Sequence, residues 1–166
     1  MRISFLMTIR GIRVLASFSF KFIRMLTNSD KETIKLGKDF AKKLKGGEVV
    51  LLIGDLGAGK TTFVKGVAQG LGIKKHITSP TFVLLKVYKV KSLKLKVKEL
   101  IHIDTYRGLD LEGLENIGAV EYFGRKDIVC FVEWGAGLEK FLKKGKIKVY
   151  KVKIKNLDTY KRQINI

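Results

Sequence analysis

One cysteine, one proline, one tryptophan and few acids set the first limits on this chain of 166 residues. The lone thiol, Cys130, excludes an intramolecular disulfide framework. Its place in the apolar run Ile128-Val129-Cys130-Phe131-Val132 reads as a small buried hydrophobe in a reducing compartment, so the cytoplasm is the expected location. No stretch approaches the roughly eighteen apolar residues that cross a bilayer, and no membrane partner is expected. His76 and His102 have no second ligand at metal-binding spacing and receive no role. There are 15 acidic residues against 34 basic ones, a formal net charge of +19.

That charge has two readings. One is an electrostatic footprint for nucleic-acid phosphates. The other is a coat of lysines on outer faces, as in proteins of heat-adapted organisms. The lysines are dispersed rather than gathered into a run, which favours the second and leaves direct RNA contact open. DNA is not expected as a partner.

What is present suits one domain: the length is right for it, and 46% of the residues are hydrophobic. Residues 1–24 stand apart, with Arg2, Arg10, Arg13, Lys21 and Arg24 but no acid. Arg10 and Arg13 interrupt any secretory core, so a signal peptide is not expected. The segment is expected to lie outside the fold or to reflect a start assigned too early, with Met25 as the working start and 25–166 as the domain. Without it 29 basic residues still face 15 acidic ones, a net of +14.

The strongest motif is Gly54-Asp-Leu-Gly-Ala-Gly-Lys-Thr61, which satisfies the phosphate-binding pattern G-x-x-x-x-G-K-[ST]. Val49 to Ile53 read as the buried strand before it. The helix after it runs from Lys60 to Leu71, with Phe63, Val64, Val67, Ala68 and Leu71 at helical spacing and Gly72 at its end. Gly54, Gly57 and Gly59 allow turns in which backbone N–H groups converge on phosphates. Lys60 is expected to reach the β- and γ-phosphates and Thr61 to offer a hydroxyl to magnesium.

Around this motif the chain reads as alternating helices and strands. Ser29 and Glu32 form a capping box for a helix that Gly46-Gly47 ends. A hydroxyl-rich loop, Thr78-Ser79-Pro80-Thr81, is either a γ-phosphate sensor or a capped turn. Phe82–Val90 and Leu93–Ile103 predict a hairpin, with lysines alternating on its second strand. Two apolar runs deliver acids at their tips, Asp104 and Glu133. P-loop enzymes need an acid in that position to hold or orient magnesium, and a cap on the following turn is the alternative. Between them 109–123 predicts one helix. A short helix over 138–142 and strands over 147–154 and 162–166 close the sheet.

Four motifs now stand in order: Gly54–Thr62, Ser79-Pro-Thr-Phe82, His102-Ile-Asp-Thr-Tyr-Arg107 and Val132-Glu-Trp-Gly135. Together they resemble the TsaE family, small bacterial P-loop ATPases required for threonylcarbamoyladenosine in tRNA beside the anticodon. The similarity runs from about Asn28 to the C-terminus. It implies an α/β, P-loop NTPase-like three-layer fold with a mixed, partly antiparallel central sheet. It also implies slow hydrolysis of ATP to ADP with magnesium, stimulated by the partner proteins TsaB and TsaD, through which tRNA is met.

By position, the resemblance implies that Leu56, Gly57, Ala58, Gly59, Lys60, Thr61 and Thr62 wrap the phosphates and that Glu133 joins Thr61 on magnesium. Asp104 would support the catalytic water or metal shell, and Thr81 would match a switch threonine. Trp134 would pack beside the site, and Asp30 would lie toward the base of the nucleotide. Arg107 and Arg125 are candidate arginine fingers or ordinary surface charges. A basic RNA-binding module with regulatory nucleotide binding is the alternative; a small P-loop kinase would need an arginine-rich lid, which nothing after Glu133 resembles.

Overall fold

The structure, a computed structural model, describes residues 4–9, 12–17, 24–92, 95–106 and 108–166. In chain order the strands are β1 (Ser4–Ile9), β2 (Ile12–Ser17), β3 (Arg24–Thr27), β4 (Val49–Ile53), β5 (Leu85–Lys89), β6 (Glu99–Asp104), β7 (Ile128–Glu133), β8 (Val149–Asn156) and β9 (Arg162–Asn165). The helices are α1 (Asp30–Ala41), α2 (Lys60–Gly70), α3 (Leu111–Asn116) and α4 (Glu139–Lys144).

The apolar runs become the middle of the sheet because both of their faces are covered. Its order is β1-β2-β3-β9-β8-β4-β7-β6-β5. The four strands β8, β4, β7 and β6 run parallel, and antiparallel strands flank them on both sides. α1 and α2 cover one face over a core that includes Leu52, Phe63, Val67, Leu100 and Phe131. The other face buries Leu51, Ile101, Ile103 and Val132 against Leu114 and Leu142. The result is the three-layer α/β fold with a mixed sheet.

Local chemistry sets the helix starts. Ser29 Oγ accepts the Glu32 N–H at 3.2 Å, and Glu32 Oε2 accepts the Asn28 N–H at 2.8 Å, so the capping box closes one residue earlier than the usual pattern. Two expectations need correction. The helix expected over 109–123 is α3 followed by a separate 3₁₀ turn, Ala119–Tyr122, because Gly118 takes a left-handed conformation (φ +70) that ends the first piece. The expected hairpin pairs only Leu85–Lys89 with Glu99–Ile103. Phe82 and Val83 lie in a turn, and Lys96 and Lys98 precede β6 rather than line it; Leu93 and Lys94 lie outside the described residues.

At the far edge, β3 pairs with β9, which places the buried Met25 opposite Ile164. β1 and β2 form a hairpin that continues the sheet from β3.

Candidate functional site

The parallel register brings the working ends together. Leu52 on β4 and Asp104 on β6 both stand opposite Glu133 on β7, so the two acids emerge beside the loop that joins β4 to α2. In that loop Gly54, Gly57 and Gly59 have φ of 156°, 74° and 100°. The tightest requirement is at Gly54, where a Cβ would come within 2.2 Å of Ile154 O, while at Gly59 it would come within 2.7 Å of Arg162 Nε. That guanidinium braces the loop: Nε donates to Ala58 O at 3.1 Å, and Nη2 pairs with Asp30 Oδ1 at 2.6 Å. The last strand and the first helix thus hold the loop in shape. α2 begins at Lys60 without a side-chain cap, and its positive end favours an anion.

Lys60 is folded back on its own loop. Its Nζ donates to Gly54 O at 2.8 Å and Asp55 O at 2.9 Å, and lies 3.9 Å from the Trp134 ring centroid. Burial pushes its pKa down, while Glu133, Asp104 and Asp55 pull it back. An ammonium held this way is ready to turn toward phosphate oxygens.

The two acids have different partners. Glu133 Oε1 accepts the Thr61 hydroxyl at 2.8 Å and lies 2.9 Å from His102 Nε2. Asp104 Oδ2 accepts the hydroxyls of Thr81 at 2.6 Å and Ser79 at 3.0 Å, and Oδ1 accepts the Tyr106 N–H at 2.9 Å. Asp104 therefore anchors the hydroxyl-rich loop, which Lys86 also ties down through Thr78 Oγ1 and Ser79 O. Trp134 follows Glu133 in a left-handed conformation (φ +64), with its N–H on Leu52 O at 3.0 Å and its ring 5.1 Å from that of Tyr106.

One cleft gathers most of the expected residues: Leu56, Gly57, Gly59, Lys60, Thr61 and Thr62 on the loop side, and Thr81, Asp104, Glu133 and Trp134 opposite. Ala58 is buried behind it, and Asp30 stands further back on Arg162. Arg125 is exposed and paired with Asp127 at 3.2 Å, away from the cleft; Arg107 lies outside the described residues.

Sequence reasoning gave no role to His102, read Ser79 only as part of the hydroxyl-rich loop and Tyr106 only as part of a motif, and missed Arg162 as a brace. The period of β6 could have found His102, since Leu100, His102 and Asp104 share a face. The Thr61 hydroxyl and the Glu133 carboxylate are hard oxygen donors that fit magnesium. Among the described residues no group of three or more His, Cys, Asp or Glu is placed to hold a metal. A cation at this pair would draw its remaining oxygens from phosphates and water.

Comparison with known proteins gives the chain's relatives. The family described as "Threonylcarbamoyl adenosine biosynthesis protein TsaE" matches residues 27–164. A tRNA threonylcarbamoyladenosine biosynthesis protein TsaE from Treponema pallidum is 45% identical over 114 residues, 68% of this chain and 78% of that relative. The protein of the same name from Bacillus subtilis is 40% identical over 129 residues, 78% of this chain and 77% of the relative. Among solved structures, Bacillus subtilis YdiB superposes with a TM-score of 0.62 at 34% identity, covering 87% of this chain and 84% of that one.

Proposed function

The chain belongs to the TsaE family of threonylcarbamoyladenosine biosynthesis proteins, and we propose that it serves tRNA modification as an ATPase that binds ATP with magnesium and hydrolyses it slowly. The observation that carries this reading is the 2.8 Å contact between Thr61 and Glu133, which joins the P-loop hydroxyl to a strand-end acid from a distant part of the chain. The acid and the hydroxyl are the two protein oxygens that would hold the ion. When bound, magnesium neutralises charge on the β- and γ-phosphate oxygens.

The chain's own groups do the rest by position. Lys60 leaves the Gly54 and Asp55 carbonyls for the β- and γ-phosphates, while the loop N–H groups and the start of α2 hold the phosphate chain. Asp104 holds Thr81 at the cleft, where a switch threonine meets the γ-phosphate and helps to orient the attacking water. The water oxygen bonds to the γ-phosphorus, the bond to the β-phosphate oxygen breaks, and ADP and phosphate leave with the water's proton on phosphate or solvent. No side chain becomes covalently attached, so catalysis is positioning and charge neutralisation. Low turnover alone and stimulation by TsaB and TsaD family proteins follow from this reading. tRNA is then engaged through that complex.

The test is ATP hydrolysis with magnesium by the purified chain, alone and with TsaB and TsaD proteins of the same organism. Stimulation by the pair that disappears in Glu133→Ala and Lys60→Ala is the expected result. Equal activity with and without partners would point to a stand-alone nucleotide enzyme. Binding to tRNA that ignores ATP would point to an RNA-binding module.

A further inference from the structure

His102 is fully buried on β6, one residue pair behind the tips of the strands, opposite Phe131. The alternation of β6 places it on the same face as Leu100, where Val129 and Phe131 form an apolar core. An aliphatic side chain would satisfy packing at such a position, so a polar ring here calls for another explanation.

Its contacts supply one. Nε2 lies 2.9 Å from Glu133 Oε1, the oxygen that also accepts the Thr61 hydroxyl. Nδ1 is buried and has no hydrogen-bond partner among the described residues. This combination selects one tautomer. A proton on Nδ1 would bury an unpaired donor and set the Nε2 lone pair against a carboxylate oxygen. A proton on Nε2 makes a charge-assisted bond and leaves only an acceptor unpaired. Thr61 and Glu133 both line the cleft, so their mutual bond is open to any ligand that enters. The His102 bond lies wholly behind them.

We propose that His102 is a positioning residue: its imidazole donates Nε2–H to Glu133 Oε1 and holds that carboxylate toward the Thr61 hydroxyl, so that the pair is set for a divalent cation. The inference rests on the reading of this cleft as a magnesium–nucleotide site. His102 itself touches no ligand. Its effect passes through Glu133, as outer partners of metal-binding groups orient the groups that bind.

The experiment measures Mn²⁺ affinity of the protein–ADP complex by electron paramagnetic resonance, with ADP affinity in the absence of metal and thermal melting measured alongside. His102→Leu removes the donor, whereas His102→Gln returns an N–H near the Nε2 position. The expected result is a fall in Mn²⁺ affinity of roughly 10- to 100-fold in His102→Leu, with metal-free ADP binding unchanged, and recovery of most of the loss in His102→Gln. Unchanged Mn²⁺ affinity in a folded His102→Leu protein would overturn the proposal, and so would a folded Gln variant as weak as Leu. Should the Leu variant not fold, His102→Asn takes its place, since its shorter amide leaves the Nε2 position without a donor; equal Mn²⁺ affinity in Asn and Gln would overturn the proposal. A wild-type protein that binds no nucleotide overturns the parent reading and this inference with it, while one that binds ADP and Mn²⁺ normally isolates the question of His102.

Discussion

Cys130 shows how far a single residue can be read. It is buried in β7 with its Sγ 3.7 Å from Tyr122 O, and burial pushes its thiol well above the ordinary range because a thiolate there would lose its solvation. The native protein should therefore resist iodoacetamide at pH 8 and react once denatured, as mass spectrometry of the alkylated chain would show. The same shift has a sign for stability. The folded state keeps this proton more tightly than the unfolded one, so its contribution is complete below the unfolded thiol's value of about 8.5 and is lost as pH rises beyond it. Denaturant melts at pH 7 and pH 10 should show wild type losing more stability than Cys130→Ala over that interval; equal losses would refute the account. Lys60 has the opposite sense. Its pKa is lowered by burial, so the folded state holds the proton less tightly and the charged amine is a net cost at neutral pH. Lys60→Ala should melt no earlier than wild type at pH 7 while losing ATP hydrolysis, and an early melt would mean that the two carbonyl bonds of Nζ outweigh the burial cost.

Between elements the sharpest constraint is the contact of α1 with α2. A Cβ on Gly66 would fall 2.1 Å from Ile34 O, and backbone cannot step aside as a side chain can. Gly66→Ala should lose about 1–3 kcal/mol in chemical denaturation, in spite of a helix-propensity gain of about 1 kcal/mol. Gly113 in α3 is the control, because the nearest atom to its Cβ is the half-buried Leu109 side chain, which can turn aside. Gly113→Ala should gain about 0.5–1 kcal/mol. At the sheet edge, β1 and β2 pair with each other and, through β2, with β3. A chain beginning at Met25 keeps the Met25–Ile164 pairing and should bind nucleotide as the longer chain does, by calorimetry; loss of binding would make the hairpin part of the working domain. Legibility follows the same boundary between local and distant causes. The P-loop strand and helix were readable nearly to the residue, because hydrophobic runs, glycines and caps are local signals. The break at Gly118 was not, since one glycine in a helical period is as often tolerated as terminal. Arg162 escaped notice because its partners, Ala58 and Asp30, lie more than a hundred residues away along the chain. His102 escaped because a lone histidine acquires meaning only from the carboxylate that a neighbouring strand delivers to it.

For the molecule as a whole the open quantity is its charge. Four of the 15 acids pair with lysines or arginines nearby: Asp39 with Lys42, Glu139 with Lys143 and Lys151, Asp158 with Lys161, and Asp127 with Arg125. Lysines are exposed on α1 at 31, 35 and 38, after α2 at 74 and 75, and on β8 at 153 and 155. These lie on different elements, so a tRNA could meet a few of them at once. That distribution predicts weak, sequence-independent binding to free tRNA. Contact with two or three phosphates would weaken it by roughly 10- to 40-fold between 50 and 200 mM salt. Binding should be indifferent to ATP and to Glu133→Ala, because none of these lysines lines the cleft of Lys60 and Glu133. Filter binding with unmodified tRNA across that salt range decides the matter. A nanomolar affinity that falls about a thousandfold or more would require six or more phosphates held together. It would mean that the lysines converge on one RNA path, and the RNA-binding module would replace the ATPase as the better account of why this chain carries so much positive charge.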